Sequence, residues 1–267
     1  MKFTVFGASG FIGACLVTHL RSLGHEVDAV TRSTFFDQRG DLGHCIYAIG
    51  LTADFRTRPF DTIEAHVSVA ANLLRDSNFD SFLYLSSTRV YANSGEAHEE
   101  TTLSARPSNP SDLYNLSKLT GESICLSSGR KNVRIARLSN VIGPDEAESD
   151  TFVGELCREA QRGHIQLRSD PASAKDYIWI GDVVDLLTRI ALDGGQAIYN
   201  VASGIDLPHQ AWVSGIATIT GCSVAVDANA PVIGFPRIAT RRIVDEFGFA
   251  PSPVLDFLPT ILDRQPA

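Results

Sequence analysis

The chain has 267 residues, 44% of them hydrophobic and 20% charged, with a net charge of −8. These values suit one large α/β domain, or a domain with a small appendage. The acidic balance argues against a basic face for nucleic acid or a membrane surface, and no apolar run reaches the length of a membrane span. The start of the chain, Met1-Lys2-Phe3-Thr4, lacks the apolar core of a signal peptide. Five scattered cysteines (Cys15, Cys45, Cys125, Cys157, Cys222) include no C-x-x-C pair, which predicts reduced thiols in a cytoplasmic protein. No His/Cys/carboxylate cluster has zinc spacing, so no metal is expected.

Residues 3–6 read as a short buried strand and 11–23 as a helix ended by Gly24. Residues 26–31 alternate as a second strand, a polar stretch fills 33–43, and 45–49 read as a third strand. Helical spacing covers 61–76, an apolar strand covers 81–85, and a Ser/Pro/Asn-rich loop covers 93–111. Residues 112–127 are predicted helical and 133–138 return as a strand. Strands alternating with helices predict an α/β fold with a doubly wound parallel sheet, whose strand C-termini share one ligand-binding edge. After Gly143-Pro144, helices are expected over 151–162, 183–192, 206–220 and 241–247, with short strands at 177–180 and 198–201. A last short helix is expected after Pro253. The predicted organisation is a dinucleotide-binding domain over 1–143, with returning segments near 175–202. Residues 144–267 then form mostly a substrate lobe that is not independent.

Between the first strand and the first helix lies Gly7-Ala8-Ser9-Gly10-Phe11-Ile12-Gly13. Glycine permits a tight turn and close approach of backbone to a pyrophosphate, and the free N–H groups of the helix start attract its charge. Gly7, Ser9, Gly10, Phe11, Ile12 and Gly13 are therefore candidate cofactor contacts. The end of the second strand supplies Arg32 and no carboxylate, since Asp28 lies within the strand and Asp37 well beyond it. A cation there suits a 2′-phosphate, so NADP(H) is favoured over NAD(H). Tyr114 and Lys118 stand at i and i+4 on one predicted helix, a spacing that presents both on one face. An ammonium lowers the pKa of a neighbouring phenol. Tyr114 then relays a proton while hydride moves at the adjacent carbon, Lys118 holds the nicotinamide ribose, and Ser87 fixes the same substrate oxygen.

These segments resemble the extended short-chain dehydrogenase/reductase superfamily, in its NAD(P)-dependent sugar-nucleotide epimerase/dehydratase/reductase branch. The resemblance runs from residue 2 to about residue 260. It rests on the glycine turn, Ser86-Ser87-Thr88-Arg89-Val90-Tyr91, Tyr114/Lys118, Asn140-Val141-Ile142-Gly143-Pro144, Lys175-Asp176-Tyr177-Ile178 and Tyr199-Asn200-Val201-Ala202-Ser203-Gly204. It implies a Ser87/Tyr114/Lys118 catalytic set. It also implies a nucleotide-sugar substrate contacted by Ser87, Asn140 near the diphosphate, and Lys175. A homodimer through the helix bearing Tyr114 and Lys118 is a further implication. Arg237, Arg241 and Arg242 are candidates to neutralise the diphosphate, with Arg241 the first choice, and Arg56 and Arg58 are candidates for the same role or for adenine contacts.

Three departures from the family pattern carry consequences. Phe6 replaces the usual Thr before the first Gly. The stretch between Arg32 and Cys45 is too short for a strand–helix unit, which predicts a sheet trimmed by about one such unit. The adenine-capping Asp is then missing, or replaced by Asp41-Leu42. Thr88-Arg89 stands where 4,6-dehydratases of the family carry an Asp-Glu pair, and elimination needs that second acid/base. The expected activity is 4-keto reduction or C4 epimerisation of a nucleotide-linked sugar. Its competitors are a cofactor sensor without catalysis and a reductase of a small non-nucleotide carbonyl.

Overall fold

The computed structural model describes residues 1–34 and 40–263; Asp37 lies outside them. Its centre is a six-stranded parallel sheet. The strands are β1 (Lys2–Phe6), β2 (Glu26–Val30), β3 (His44–Tyr47), β4 (Ser81–Ser87), β5 (Val133–Leu138) and, later in the chain, the strand Ile198–Val201. From β1 the chain passes to β2 on one side and then crosses to β3 on the other. This reversal is the position where open α/β sheets bind ligands.

The period of two along each strand sorts the core. Phe3, Val5, Ile46, Leu83 and Leu85 face one layer, and Phe6, Cys45, Tyr47, Phe82 and Tyr84 face the other. The first layer holds α1 (Phe11–Ser22). The second holds α2 (Pro59–Ile63), a π-helical turn (Glu64–Ser68), α3 (Val69–Asp76) and α4 (Asp112–Ser127). The run 61–76, expected as one α-helix, is thus interrupted by a wider turn. The carbonyls in that turn accept bonds from side chains: Tyr47 Oη donates to Ala65 O at 2.6 Å, and Tyr84 Oη donates to His66 O at 2.8 Å.

The C-terminal half adds β6 (Asn140–Ile142), α5 (Phe152–Gln161), β7 (His164–Leu167), β8 (Ala174–Trp179), α6 (Ile180–Asp193), β9 (Ile198–Val201), β10 (Asp206–Pro208), α7 (His209–Thr220), β11 (Ser223–Val226), α8 (Arg241–Phe247) and α9 (Leu258–Asp263). α6 packs beside α1 on the sheet. β6, β8 and β10 form a small sheet, and β7 pairs with β11. A separate apolar cluster around Val153, Leu156, Trp212 and Ile216 fills this half.

Several sequence expectations need correction here. The run 206–220 is not one helix, because Asp206–Pro208 pairs antiparallel with β8 and Pro208 keeps an extended backbone before α7. The strand expected at 177–180 begins at Ala174 and yields to helix at Ile180. β6, β7 and β11 have only three or four residues each, too few to show a period. β2 is an edge of the main sheet. Among the described residues nothing extends the sheet beyond β2, in keeping with the short Arg32–Cys45 link. Asp41 does not stand in for the adenine-capping acid. It lies at the entry to β3, bridges to Asn78 and accepts from Gly43 N at 3.1 Å, whereas the ligand edge is at the strand's exit.

Candidate active site

The C-terminal edge of the sheet opens into a cleft of about 870 Å³. One wall is the glycine turn. Gly7 has φ +83°, and a Cβ there would meet Ala48 backbone at 2.8 Å. A Cβ on Gly13 would fall 2.2 Å from Gly7 O. Both positions therefore exclude side chains, and they bring the start of α1 against the exit of β3. Gly10 is the N-cap of α1 and offers no side-chain cap. The first N–H groups of that helix have no intrahelical acceptor, and Gly10, Phe11, Ile12 and Gly13 line the cleft. An uncapped helix start against a turn too tight for any Cβ fits a dinucleotide pyrophosphate. Gly7 and Ser9 support the turn and do not line the cleft.

β4 and α4 supply the opposite wall. Ser87, Tyr114 and Lys118 all line the cleft, so the three residues singled out by spacing do converge. Tyr114 and Lys118 are 5% and 4% exposed. Lys118 Nζ donates to Leu85 O at 2.8 Å and lies 5.2 Å over the Tyr84 ring. Burial lowers its pKa to about 7, with Glu122 opposing the shift. Burial raises the pKa of Tyr114, while the Ser87 hydroxyl and the Arg89 guanidinium pull it partway back. The expected roles of the cations are therefore redistributed. The charge acting on the free phenol is that of Arg89, whose guanidinium lies 5.2 Å from the Tyr114 ring, because Lys118 is turned toward the β4 carbonyl.

His66 carries no motif that marks it in the sequence. It is fully buried in the π-helical turn and meets the Tyr114 ring edge-on, with centroids 5.3 Å apart. Leu51 N donates to its Nε2 at 3.1 Å, and its Nδ1 is 2.8 Å from Ser117 Oγ, which in turn donates to Tyr114 O at 2.8 Å. Since Nε2 accepts, the ring proton sits on Nδ1. Burial, with help from Lys118, holds its pKa near 3, so the ring stays neutral. It ties the loop after β3 to the helix of Tyr114. A lone His in an apolar helical stretch carries no spacing signal, and only the fold brings it to the site.

The remaining candidates divide. Asn140 lines the cleft and donates Nδ2 to Asp176 O at 2.7 Å. Lys175 lines it too, with its pKa lowered by burial and then by Arg89. Asp176 is fully engaged. It accepts from Ser203 N at 3.0 Å, Gly204 N at 2.6 Å and Ile205 N at 3.2 Å. Arg32 is exposed after β2 and is not part of the cleft wall. Arg241 is not brought to the site: it is exposed on α8 and pairs with Asp245 at 3.1 Å. Arg237 donates to Gly204 O, and Arg242 to Ile198 O and Glu100. Arg58 pairs with Asp61. Arg58, Arg237, Arg241 and Arg242 already have partners and do not line the cleft.

The profile of the NAD dependent epimerase/dehydratase family matches residues 43–202. The GDP-6-deoxy-D-mannose reductase of Pseudomonas aeruginosa is 32% identical over 76% of this chain and 75% of its own length. The UDP-glucose 4-epimerase of Mycolicibacterium smegmatis is 24% identical over 96% of this chain and 95% of its own. Among solved structures, RMD from Pseudomonas aeruginosa complexed with NADPH superposes with a TM-score of 0.79 at 24% identity, covering 98% of this chain and 99% of that one.

Proposed function

The chain belongs to the NAD dependent epimerase/dehydratase family and is an NAD(P)-dependent enzyme, and from that premise we propose that it reduces a 4-keto nucleotide-linked sugar. The observation that carries this reading is the meeting of Ser87, Tyr114 and Lys118 in one cleft with the uncapped start of α1. The nicotinamide, when bound, supplies the hydride. Ser87 and Tyr114 hold the carbonyl oxygen, and Tyr114 gives up the proton that the oxygen needs as hydride arrives at carbon. Burial keeps the phenol protonated at neutral pH, the form required of a proton donor. Lys118, bonded to Leu85 O, holds the nicotinamide ribose, and solvent restores the phenol proton after the product leaves. Asn140 and Lys175 take the diphosphate. The relative of highest identity quoted above is itself named as a reductase of a GDP-linked sugar.

NADP(H) is the cofactor of this reading, supported by Arg32 at the exit of β2. Asp28, the carboxylate nearest in β2, is tied to Lys2 at 3.2 Å. Residues 144–267 serve mainly as the substrate lobe. The working unit is a homodimer across α4 and its neighbour, where Phe60 and Leu126 are 87% and 48% exposed. C4 epimerisation is the competing outcome, and bound cofactor separates the two. Acid extraction of the purified enzyme should release little nucleotide, and NADPH should be consumed once per turnover. Retained NAD⁺, with no net oxidation of NADPH, would replace reduction by epimerisation. Tyr114→Phe should lower turnover by about 10²-fold or more while NADPH affinity stays within about twofold. Unchanged turnover would remove Tyr114 from the reaction.

A further inference from the structure

The reacting end of the cleft contains a cation that acts on the phenol but carries no proton in the relay. Arg89 follows Ser87 by two residues. Its backbone N donates to Ser87 Oγ at 3.2 Å, and its guanidinium lies 4.9 Å from the Phe55 ring and 5.2 Å from the Tyr114 ring. One anchor holds it, Nη2 donating to Ser111 O at 3.2 Å. Nε and Nη1 have no partner among the described residues.

No protein carboxylate pairs with this guanidinium, although the charge of Asp112 acts on it from further off. Among the described residues none lies within ion-pair distance of it. The two acids lining the cleft are committed elsewhere, Asp176 to the backbone of residues 203–205 and Glu146 to the hydroxyls of Thr151 and Ser149. Asp112, the nearest other acid, accepts from Arg106 N at 2.9 Å and from Asn115 Nδ2 at 3.2 Å. A second guanidinium, that of Arg56, lies 4.4 Å from the same Phe55 ring and donates to Ser111 Oγ at 3.1 Å. Two arginines thus converge on Ser111 and Phe55, and among the described residues neither has a carboxylate within ion-pair distance.

Resting on the nucleotide-sugar reading above, we propose that Arg89 recognises a carboxylate on the sugar, so that the preferred substrate is a nucleotide-linked acidic sugar, a uronate or its keto form. A guanidinium with two free donors matches a carboxylate fork. Its place beside Tyr114 and Ser87 sets the anion one carbon from the reacting carbonyl, as the C6 carboxylate is from C4 across C5. In the nucleotide-sugar reading Asn140 and Lys175 already take the diphosphate, which leaves Arg89 for an anion nearer Tyr114. The same positive charge explains why this position is no dehydratase acid. It replaces a proton donor with a fixed cation.

The test is a ratio of affinities. Calorimetry with NADPH present would compare UDP-glucuronate with UDP-glucose, and GDP-mannuronate with GDP-mannose, on the full chain. The acidic member should bind about tenfold tighter or more. That ratio should collapse to about threefold or less in Arg89→Met and recover in part in Arg89→Lys. Retained NADPH binding in each variant reports an intact fold. Equal or weaker binding of the acidic sugar overturns the inference, as does a preference that survives Arg89→Met. Either result leaves the nucleotide-sugar reading standing. If no member of either pair binds while NADPH does, the nucleotide-sugar reading fails, and this inference with it.

Discussion

Lys118 is an ammonium placed where burial resists charge, and that conflict can be measured. Its pKa falls to about 7 in the folded protein, first through burial, against an ordinary lysine value near 10.4 in the unfolded chain. The unfolded state therefore binds more protons between these two values, and stability rises with pH across that window. Below pH 7 the full cost is present, and above the ordinary lysine value it is gone. Lys118→Met removes the titrating group. Its melting temperature should exceed that of the parent most at pH 6, and the margin should shrink steadily toward pH 10. A margin independent of pH would mean that Lys118 is not the perturbed group. The same residue explains a limit of reading from spacing. Tyr114 and Lys118 at i and i+4 placed both on one face of α4, but spacing could not say which cation faces the phenol. That choice is made by Leu85 O, which takes the Lys118 ammonium at 2.8 Å, and by the Phe55 ring, which steadies Arg89.

At the scale of elements, the π-helical turn decides how closely α4 approaches the sheet. Tyr47 and Tyr84 donate to the carbonyls of Ala65 and His66 from β3 and β4, so the turn is satisfied from beneath. Gly121 of α4 makes room for this. A Cβ there would lie 2.3 Å from Tyr84 Oη and 2.6 Å from His66 O. Backbone on one side and a bonded hydroxyl on the other leave little freedom to yield. Gly121→Ala should cost about 1–3 kcal/mol, read as a lower urea midpoint at unchanged slope. It should also lower activity, because α4 carries Tyr114 and His66 holds the loop at Leu51. A stable variant of full activity would mean that α4 shifts freely over the turn. Strong periodicity made α4 and β5 legible at their observed bounds, whereas the π turn was invisible because its sequence, Glu64-Ala65-His66-Val67-Ser68, reads as ordinary helix. β10 was lost inside a helical pattern that only its pairing with β8 interrupts.

The whole molecule joins its two halves through buried polar chemistry that no local pattern announces. Arg137 on β5 bonds both oxygens of Glu122 on α4, at 3.0 and 2.6 Å, and Ser86 donates to the same carboxylate at 2.5 Å. The network continues through Tyr91 to Asn200 on β9, and Asn200 reaches Ala97 O and Ala239 O. The ends of this network lie in family-like segments of the sequence, but pairing across 109 positions, as between Tyr91 and Asn200, follows from topology alone. The outer face of the α2–α4 layer is the opposite case, because several of its large apolar residues stay exposed among the described residues. Phe60 is 87% exposed, Leu126 48% and Ile63 40%, on helices whose inner faces are packed. A two-fold axis across this layer would set the helices of two copies against each other in an isologous contact. Burying such side chains is worth about 1.5–3 kcal/mol each, and a charge placed there would be desolvated without a partner. Wild-type protein should therefore sediment at twice the 28.9 kDa of one chain. The double variant Phe60→Glu with Leu126→Glu should sediment as a monomer with its melting temperature nearly unchanged, since neither side chain supports the fold from within. A wild-type monomer, or a dimer that withstands both charges, would place the contact elsewhere or remove it.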